Sequence, residues 1–465
     1  MKKEAAIAAN RFGLGARPGQ LELISGDPRG WLNEQIAGPT KWPEEFRSLP
    51  DSASVLIEVQ DARELRRMSR KTEAEDEPAP EIIEKYGAIV RRHYLRQVTT
   101  RLQLAASTDY PFHERLVNFW SNHFAVSADK QPLAAVAGLF ENEAIRPNLG
   151  GSFAELLVAA VSHPAMVIYL DNQRSIGPGS PAARRARRRS EQQVGLNENL
   201  AREILELHTL GVQGGYGQED VAAFARVLTG WSVGGGRGRT REGEPGRFEF
   251  RDTIHEPGKQ AVLGKKYAQP GQRQGIAVLL DLAAHPSTAT FIASKLARHF
   301  IADTPPERAV QAIASIFRDT GGHLPSVHQA LVNQTSAWEQ PLAKYKTPFD
   351  FVVSTYRAFM RIPDDSRLIA GSLELMGQAM FRPGSPAGWP DTAAQWGGAD
   401  ALYKRIEWAD TASRRIRPET TNPAALARDV LGANLGERTR RTIGNAESAQ
   451  QGTTLFLVSP EFQRR

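Results

Sequence analysis

The sequence has 465 residues, of which 41% are hydrophobic and 24% charged, and its formal net charge is +6 at pH 7. A chain of this length exceeds the size of one ordinary core, so we expect two or more structural parts. Cysteine is absent, which excludes a cysteine nucleophile, thiolate metal ligands and thiol redox chemistry.

The N-terminal part of the sequence, residues 1–180, predicts a series of helices. Short helices flank the glycine-rich turn RFGLGARPG, and Asp27-Pro28 is typical of a helix start. An acidic, proline-bearing linker, KTEAEDEPAP, separates two longer helices. Hydrophobic spacing predicts the longer helices over residues 52–72, 81–108, 111–127, 132–146 and 152–161.

Residues 181–195 are rich in arginine and are predicted to form an exposed loop. Five arginines in this stretch account for most of the net charge, namely Arg184, Arg185, Arg187, Arg188 and Arg189. Such a segment attracts phosphate in a salt-dependent way. No recognised nucleic-acid-reading motif accompanies it, so nucleic-acid binding ranks last among the functions considered.

The rest of the chain divides into a central helical part, residues 196–340, and a C-terminal helical part, residues 341–465. A glycine-rich stretch interrupts the central part and predicts one small β-hairpin insertion around residues 232–270. No run of eighteen apolar residues occurs, so no membrane span is predicted. Further helices are predicted over 196–212, 216–231, 272–284, 287–302, 306–319, 325–334, 346–361, 366–379, 398–415, 422–433 and 438–449. The sequence therefore predicts a mainly α, multi-helix globular body.

The helix predicted at LNENLAREILELHTLGV, residues 196–212, combines a core face with many polar side chains. At about 100° per residue, one face of an ideal α-helix carries only apolar residues and glycine, and we expect it to be buried. Those residues are Leu200, Ile204, Leu207 and Gly211. On another face, Glu198, Arg202 and Glu206 are spaced four apart and predict a surface ladder of charge pairs.

Glu203 lies at the edge of this apolar face, beside Asn199 and Glu206. A carboxylate at such an edge is partly buried, which costs free energy unless the carboxylate is paired. His208 lies about 140° from Glu203 on an ideal helix, so one helix does not bring both side chains to one metal ion. A site here would need side chains from other segments.

Three other segments supply polar candidates. Asn122 and His123 lie after Trp120, near the end of the predicted aromatic helix, and suit either a cleft or a buried structural role. His255 precedes Glu256 and the Pro-Gly turn of HEPGKQ, which would present both side chains at a loop tip. Lys295 and His299 are four apart on one helix and need an acid opposite, for which Glu203 and Glu206 are candidates; a structural buried ion pair explains them equally well.

Other conspicuous residues suit structural roles better. His163 and His285 each precede proline at a predicted helix boundary, which is typical of capping or turn residues. Trp231 in LTGW is a candidate for lining a pocket, although core packing is common for an aromatic residue after a glycine. No phosphate-binding loop and no G-x-S-x-G motif is present.

Several phrases of the sequence, taken together and in order, resemble a large bacterial family known as domain of unknown function 1800 (DUF1800). They are RLVNFWSNHFAVS, SFAELLVAAVSHPAMVIYLDN, LNENLAREILELHTLGV, DVAAFARVLTGW, HEPGKQAVLG, FIASKLARHFI, AGWP and SPEFQRR. The resemblance spans nearly the whole chain. It implies that the protein shares the family's fold, and it brings no reaction with it.

The first functional hypothesis is a metal-assisted hydrolase or lyase that acts on a polar, glycan-like substrate. Its divalent metal ion, of open identity, would be bound by His123, His208 and His255. The catalytic side chains would be Glu203, Glu206 and Lys295, with Glu206 as general base and Lys295 as electrostatic stabiliser. Asn122, Asn199, Arg202, Trp231 and His299 are further candidates for this site.

The alternative hypothesis is a non-catalytic scaffold. Family members often neighbour a sulfatase-like protein, so the resemblance implies such a partner, or a polysaccharide. The polar motifs would then be buried networks that hold helices in register. Family members are also often exported, whereas the N-terminus MKKEAAIAANRFGLG shows no apolar signal-peptide core. The sequence favours the cytoplasm and the resemblance favours the periplasm or export, so the compartment stays open.

Overall fold

A computed structural model describes residues 3–39, 41–42, 44–72, 80–188, 195–235, 243–362, 365–416 and 422–465. Most of the predicted acidic linker, Arg189 and residues 236–242 of the predicted hairpin lie outside these described residues. The prediction of a mainly α fold is confirmed.

Helices form most of the described chain. Those before the first strand are α1 (Lys3–Ile7), α2 (Gln20–Ile24), α3 (Pro28–Asn33), α4 (Glu44–Arg47), α5 (Ser52–Thr72), α6 (Pro80–Ser107), α7 (Pro111–His123), α8 (Ala137–Phe140), α9 (Phe153–Ser162), α10 (Pro164–Tyr169), α11 (Pro181–Arg187), α12 (Asn199–Glu203) and α13 (Gln218–Leu228). Those after the last strand are α14 (Gln272–Ala283), α15 (Pro286–Phe300), α16 (Glu307–Asp319), α17 (Leu324–Val332), α18 (Ser336–Glu339), α19 (Pro348–Ala358), α20 (Ser366–Leu375), α21 (Ala393–Trp396), α22 (Ala399–Arg415), α23 (Pro423–Leu431), α24 (Glu437–Gly444) and α25 (Ala449–Val458).

Several helices begin at a side chain that caps them. At α9, Ser152 and Glu155 form a capping box, in which the backbone N–H of Glu155 donates to Ser152 Oγ at 3.2 Å. His163 and His285 accept hydrogen bonds through Nδ1, at 3.1 Å each, from the second residue of α10 and of α15. The prediction that both histidines are capping residues is therefore confirmed.

Among the described residues, wider π-helical turns interrupt the α-helical pattern at three places: Ala8–Phe12, Glu141–Ile145 and Ile204–Thr209. The helix predicted over 132–146 is interrupted at Val136 and changes from α to π at Glu141, and the helix predicted over 196–212 changes from α to π at Ile204. Shorter 3-10 turns occupy Leu133–Ala135, Arg146–Asn148, Asn172–Arg174, Asp252–Ile254 and Gly432–Asn434. Because a π turn closes i→i+5 hydrogen bonds, it shifts by one residue the positions that share a face.

In the described part of the chain, the β structure consists of two small hairpins, whereas the sequence predicted one. Strand β1 (Trp231–Val233) pairs antiparallel with β2 (Phe248–Phe250), and β3 (Gln260–Val262) pairs antiparallel with β4 (Lys265–Tyr267). The 3-10 turn Asp252–Ile254 lies between β2 and β3 and separates the two hairpins.

The prediction of an arginine-rich loop over residues 181–195 is wrong for its first part, because Pro181–Arg187 form helix α11. Pro181 at the first position has a fixed φ suited to a helix, and Ser180 Oγ caps the helix by accepting from Ala183 N at 3.2 Å. Arg184, Arg185 and Arg187 are nonetheless exposed, as predicted.

One continuous hydrophobic core includes residues from Ala5 to Phe462; the domain boundaries proposed from sequence stay predictions. At its centre, Phe12 packs on Phe112 of α7 and on Phe300 of α15, with ring centroids 5.7 Å apart in both cases. This packing fixes α7 beside α15.

The end of the described chain docks on the segment before α19. The backbone N–H of Lys344 donates to the carbonyl of Arg465 at 3.0 Å, and the reverse hydrogen bond measures 2.8 Å. Among the described residues, no single helix combines the length and apolar composition needed to cross a bilayer; α14 and α15 meet those criteria only together, with a bend of 63° between them.

Candidate active-site cleft

An open cleft lies between α7, α15, α19 and the segment 378–391. Its empty volume is about 910 Å³, including the part open to solvent. Helix α7 contributes Arg115, Asn118, Ser121 and Asn122 to its wall. These residues lie three, six and seven positions after Arg115, which places them on one helical face.

His299 of α15 and Asp391 form a hydrogen-bonded pair on the wall of this cleft. His299 Nδ1 lies 2.7 Å from Asp391 Oδ2. Burial lowers the pKa of His299 to about 4, against a smaller opposing effect of Asp391. The imidazole is therefore neutral at pH 7, with its proton on Nδ1 facing the carboxylate. Its Nε2 is buried and has no hydrogen-bond partner among the described residues.

Cationic side chains keep Asp391 ionised. Burial alone would raise the pKa of Asp391, but its hydrogen bond with His299 and the charges of Lys344 and Arg465 outweigh burial and lower the pKa. Lys344 Nζ also donates to the backbone carbonyl of Asp391 at 2.6 Å and pairs with Asp303. These contacts hold the aspartate in place beside His299.

A second carboxylate of the cleft, Asp350 at the start of α19, is paired with two arginines. Arg115 Nη1 donates to Asp350 Oδ1 at 3.1 Å, and Arg465 Nε lies 3.2 Å from Oδ2. Burial would raise the pKa of Asp350, but the charges of Arg115 and Arg465 lower it. Asp350 Oδ2 is buried and accepts no hydrogen bond from the described residues, despite its ion pair.

A buried quartet of charges, Arg101, Glu114, Glu141 and Arg146, contributes Arg101 and Glu141 to the other wall. Arg101 pairs with Glu141 at 2.8 Å and with Glu114 at 3.1 Å, and Arg146 pairs with both glutamates at 2.8 Å or less. Arg101 also donates to Asn118 Oδ1. The amide nitrogen of Asn118 is buried with no hydrogen-bond partner among the described residues.

Asn122, a residue predicted for the site, clamps the AGWP segment. Its side chain accepts from Trp389 N at 2.6 Å and donates to Trp389 O at 2.9 Å. Gly388 has φ +81°, and a Cβ at this position would lie 2.3 Å from the carbonyl oxygen of Asn122. This close approach requires glycine and sets the position of Asp391, which is three residues later.

The structure brings together His123 and His208, two of the predicted metal ligands, but seals both in the core. Their ring centroids are 6.0 Å apart, and His123 Nε2 donates to the carbonyl oxygen of His208 at 3.1 Å. Neither side chain is more than 1% exposed. Burial, with the charge of Lys295, lowers the pKa of His123 well below its usual range and that of His208 to about 3.

The remaining predicted ligand, His255, contacts a different part of the chain. Its Nδ1 donates to the carbonyl of Thr229 at 2.8 Å, and its ring packs on Phe250. The expected presentation of His255 and Glu256 at a loop tip is wrong, because His255 is buried and Glu256 accepts a hydrogen bond from Gly179 N. The described residues contain no group of three His, Cys, Asp or Glu side chains positioned to hold a metal ion.

The polar segment 196–212 does not line this cleft. Its buried residues include Leu205 and His208 in place of the predicted Leu207, because the π turn shifts the buried face. Only half of the predicted charge ladder forms: Arg202 pairs with Glu198 at 2.9 Å and makes no ion pair with Glu206 among the described residues. Asn199 is exposed.

Glu203 and Glu206 do not pair with Lys295 or His299, because Asp391 is the acid that His299 contacts. Burial raises the pKa of Glu203, and the nearby Glu206 adds to the shift. Burial lowers the pKa of Lys295 to about 8, and its ammonium lies 5.6 Å from the centre of the Phe291 ring. Trp231 is fully buried in the core.

Of the site residues predicted from the sequence, Asn122 and His299 line this cleft. The prediction did not include four other lining residues, Arg115, Asn118, Asp350 and Asp391, or Arg465, which pairs with Asp350. Two signals pointed to them. Asp350 is an acid within the apolar stretch PFDFVV, and Asp391 directly follows the family-like AGWP. A charged residue at a core-facing position indicates a buried partner.

The fold and cleft define a class: a mainly helical protein whose single core encloses an open, charge-lined cleft with a histidine–aspartate pair. Within this class, the chain belongs to the DUF1800 family of proteins of unknown function, whose family profile matches residues 7–464. No curated protein and no solved structure shows a significant match.

Proposed function

We propose that the protein is an enzyme that carries out hydrolysis or elimination on a polar substrate in the cleft, with His299 as the general base. The observation that supports this proposal is the pairing of His299 Nδ1 with Asp391 on the cleft wall. This pairing leaves Nε2 as the ring nitrogen with a free lone pair, which is the arrangement of an oriented histidine base.

In this role, His299 Nε2 takes a proton from the water molecule that attacks the scissile bond in hydrolysis, or from the carbon next to the one that bears the leaving group in elimination. The bond to the leaving group breaks, and the imidazolium returns the proton to that group. The ionised Asp391 holds the ring orientation and stabilises the imidazolium as it forms. Because Nε2 is shielded from solvent in this structure, the ring or the adjoining wall has to shift slightly when a substrate binds. The low pKa of His299 keeps the base unprotonated into the acidic range.

The metal-assisted version of this reaction stays a prediction from sequence. Its proposed ligands His123 and His208 are sealed in the core, and His255 is bonded elsewhere. The geometry supports acid–base chemistry at His299 more directly than a metal site at those three histidines.

A non-catalytic scaffold is the second candidate, and the buried quartet favours it. Arg101, Glu114, Glu141 and Arg146 are paired with one another, as expected of a network that sets helix register. The sulfatase-like partner, the polysaccharide and the compartment stay predictions from the family resemblance.

The test is a turnover screen with His299→Gln, which removes the base. The panel contains chromogenic glycosides and esters, together with glycan chains assayed for elimination. We expect wild-type protein to turn over at least one member, and His299→Gln to lower kcat by about 10²–10⁴-fold, the usual contribution of a general base.

The matched control is His285→Asn on the same helix. His285 caps α15 and does not line the cleft, and asparagine is also a good cap, so this variant should keep wild-type activity. No turnover by the wild type, or equal rates for wild type and His299→Gln, would count against the enzyme and in favour of the scaffold.

A further inference from the structure

We propose that the cleft binds a neutral, hydroxyl-rich ligand of the carbohydrate class, whose hydroxyl groups hydrogen-bond to Asn118 and His299. The assignment of this ligand as a substrate rests on the proposed function. The choice of ligand class follows separately from the charges, the unpartnered polar atoms and the aromatic side chains of the cleft.

The charges of the cleft wall are already compensated within the protein. Arg101 is paired with Glu114 and Glu141, and Arg115 is paired with Asp350. An anionic ligand would have to compete with these buried carboxylates, and a cationic ligand would have to compete with the arginines. Separating a buried ion pair is costly, so a neutral ligand suits this wall best.

Three buried polar atoms of the wall have no hydrogen-bond partner among the described residues: the Asn118 amide nitrogen, His299 Nε2 and Asp350 Oδ2. Arg465 neutralises Asp350 Oδ2 in an ion pair, whereas the other two atoms require an acceptor and a donor from the ligand. The amide nitrogen of Asn118 is a free donor, because the amide oxygen already accepts from Arg101. His299 Nε2 is a free acceptor, because Nδ1 carries the proton shared with Asp391. Unpaired buried polar atoms are costly, so a ligand that satisfies both gains affinity.

Hydroxyl groups can satisfy both atoms, since a hydroxyl can accept from the Asn118 amide and can donate to His299 Nε2. A carboxylate or a fully ionised phosphate cannot donate to Nε2, and an ammonium group cannot accept from the amide. The donor and acceptor pattern therefore selects alcohols and sugars over charged metabolites.

Aromatic side chains complete the lining of the cleft. Phe349, Phe381 and Trp389 line it together with the polar groups. A pocket of aromatic side chains with a few placed polar groups is the usual form of a small-molecule site. A sugar ring matches this lining, because its C–H faces pack on aromatic side chains and the hydroxyl groups at its edge hydrogen-bond with polar groups.

The experiment is calorimetric titration of the full chain with sugars that differ in charge. The neutral probes are glucose, galactose, N-acetylglucosamine and cellobiose, and the charged probes are glucuronate, glucose 6-phosphate and glucosamine. We expect at least one neutral sugar to bind, and its charged analogues to bind at least about tenfold more weakly.

The variant Asn118→Asp removes the free donor and keeps the oxygen that accepts from Arg101. We expect it to weaken binding of the neutral sugar by about 2- to 10-fold, the equivalent of one hydrogen bond. Asn199→Asp makes the same chemical change on an exposed residue and should leave the affinity unchanged. Trp389→Leu, which removes an aromatic ring without touching the buried charges, should also weaken binding.

Three results would overturn the inference: binding of no neutral sugar, tighter binding of glucuronate or glucose 6-phosphate, or equal effects of Asn118→Asp and Asn199→Asp. The outcome is separable from the test of the enzyme. Sugar binding without turnover would leave the ligand class standing and remove the proposed reaction. If the protein instead turned over a substrate without hydroxyl groups, and this turnover required His299, the proposed reaction would stand and the ligand class would be wrong.

Discussion

At the scale of single residues, the charged side chains around the cleft stay buried because each one is paired. Glu114 is 1% exposed and holds the guanidinium groups of Arg101 and Arg146. Removing one member of a buried pair costs about 3–5 kcal/mol, because the other member stays behind as an unpaired charge. Changes within the quartet would therefore report on folding before they report on the cleft.

His299 and Asn118 are better probes for the same reason. Each has one polar atom engaged and one free, so a substitution can remove the free atom and leave the structural contact. His123 differs: its free Nδ1 lies in the core, where a substitution would change packing.

At the scale of elements, the segment that carries Asp391 is positioned by a backbone contact. Gly388→Ala would place a Cβ 2.3 Å from the carbonyl of Asn122 and would strain a φ of +81°. We expect this change to displace Trp389 and Asp391 and to abolish measurable turnover and ligand binding. Both are assayed as described above, with circular dichroism to verify the helical content.

Gly264→Ala is the control for backbone strain alone. Gly264 has φ +73°, and a Cβ there meets nothing within 4 Å. It should lower the free energy of unfolding by about 1 kcal/mol and leave the cleft intact. Unchanged activity in Gly388→Ala would show that the clamp between Asn122 and Trp389 does not position Asp391.

Local patterns in the sequence predicted most elements of the fold. The helical class, the long helices α5 and α6, and the capping histidines at α10 and α15 follow from hydrophobic period and proline position. The π turn at Ile204–Thr209 could not be predicted, because its sequence has no helix-breaking residue. That turn changed the buried face and moved His208 into the core.

The site was harder to predict than the elements. The spacing of Lys295 and His299 on one helix predicts a buried acid opposite them, but the acid that contacts His299, Asp391, lies 92 positions later in the chain. Such pairing depends on how helices pack, and no local pattern encodes it. The density of polar residues at 196–212 suggested a site there, but the charged side chains of this segment are half-buried and do not line the cleft.

At the scale of the whole molecule, buried neutral histidines should make the protein sensitive to acid. Burial lowers the pKa of His208 and of His328 to about 3, whereas an unfolded histidine titrates near about 6.5. Between these values the unfolded chain binds protons that the folded chain does not. These histidines therefore contribute most to the free energy of unfolding above about pH 6.5. As the pH decreases from about 6.5 to about 3, the free energy of unfolding should fall by about 1.4 kcal/mol per pH unit for each such histidine.

Thermal unfolding between pH 7 and pH 4 measures this loss. His208→Leu removes one of these histidines, and it also removes two buried ring nitrogens that have no partners among the described residues. The variant should show a shallower fall of Tm with decreasing pH than wild type. An identical pH dependence in wild type and His208→Leu would mean that His208 is accessible to protons in the folded protein.

The central claim is that His299 is a neutral, oriented base, and nitrogen NMR of the full chain with labelled histidines tests it most directly. Loss of one signal set in His299→Gln assigns the residue. At pH 7 we expect a protonated Nδ1 and an unprotonated Nε2, unchanged down to about pH 5 because burial lowers the pKa to about 4. An imidazolium at pH 7, or a proton on Nε2, would contradict the account.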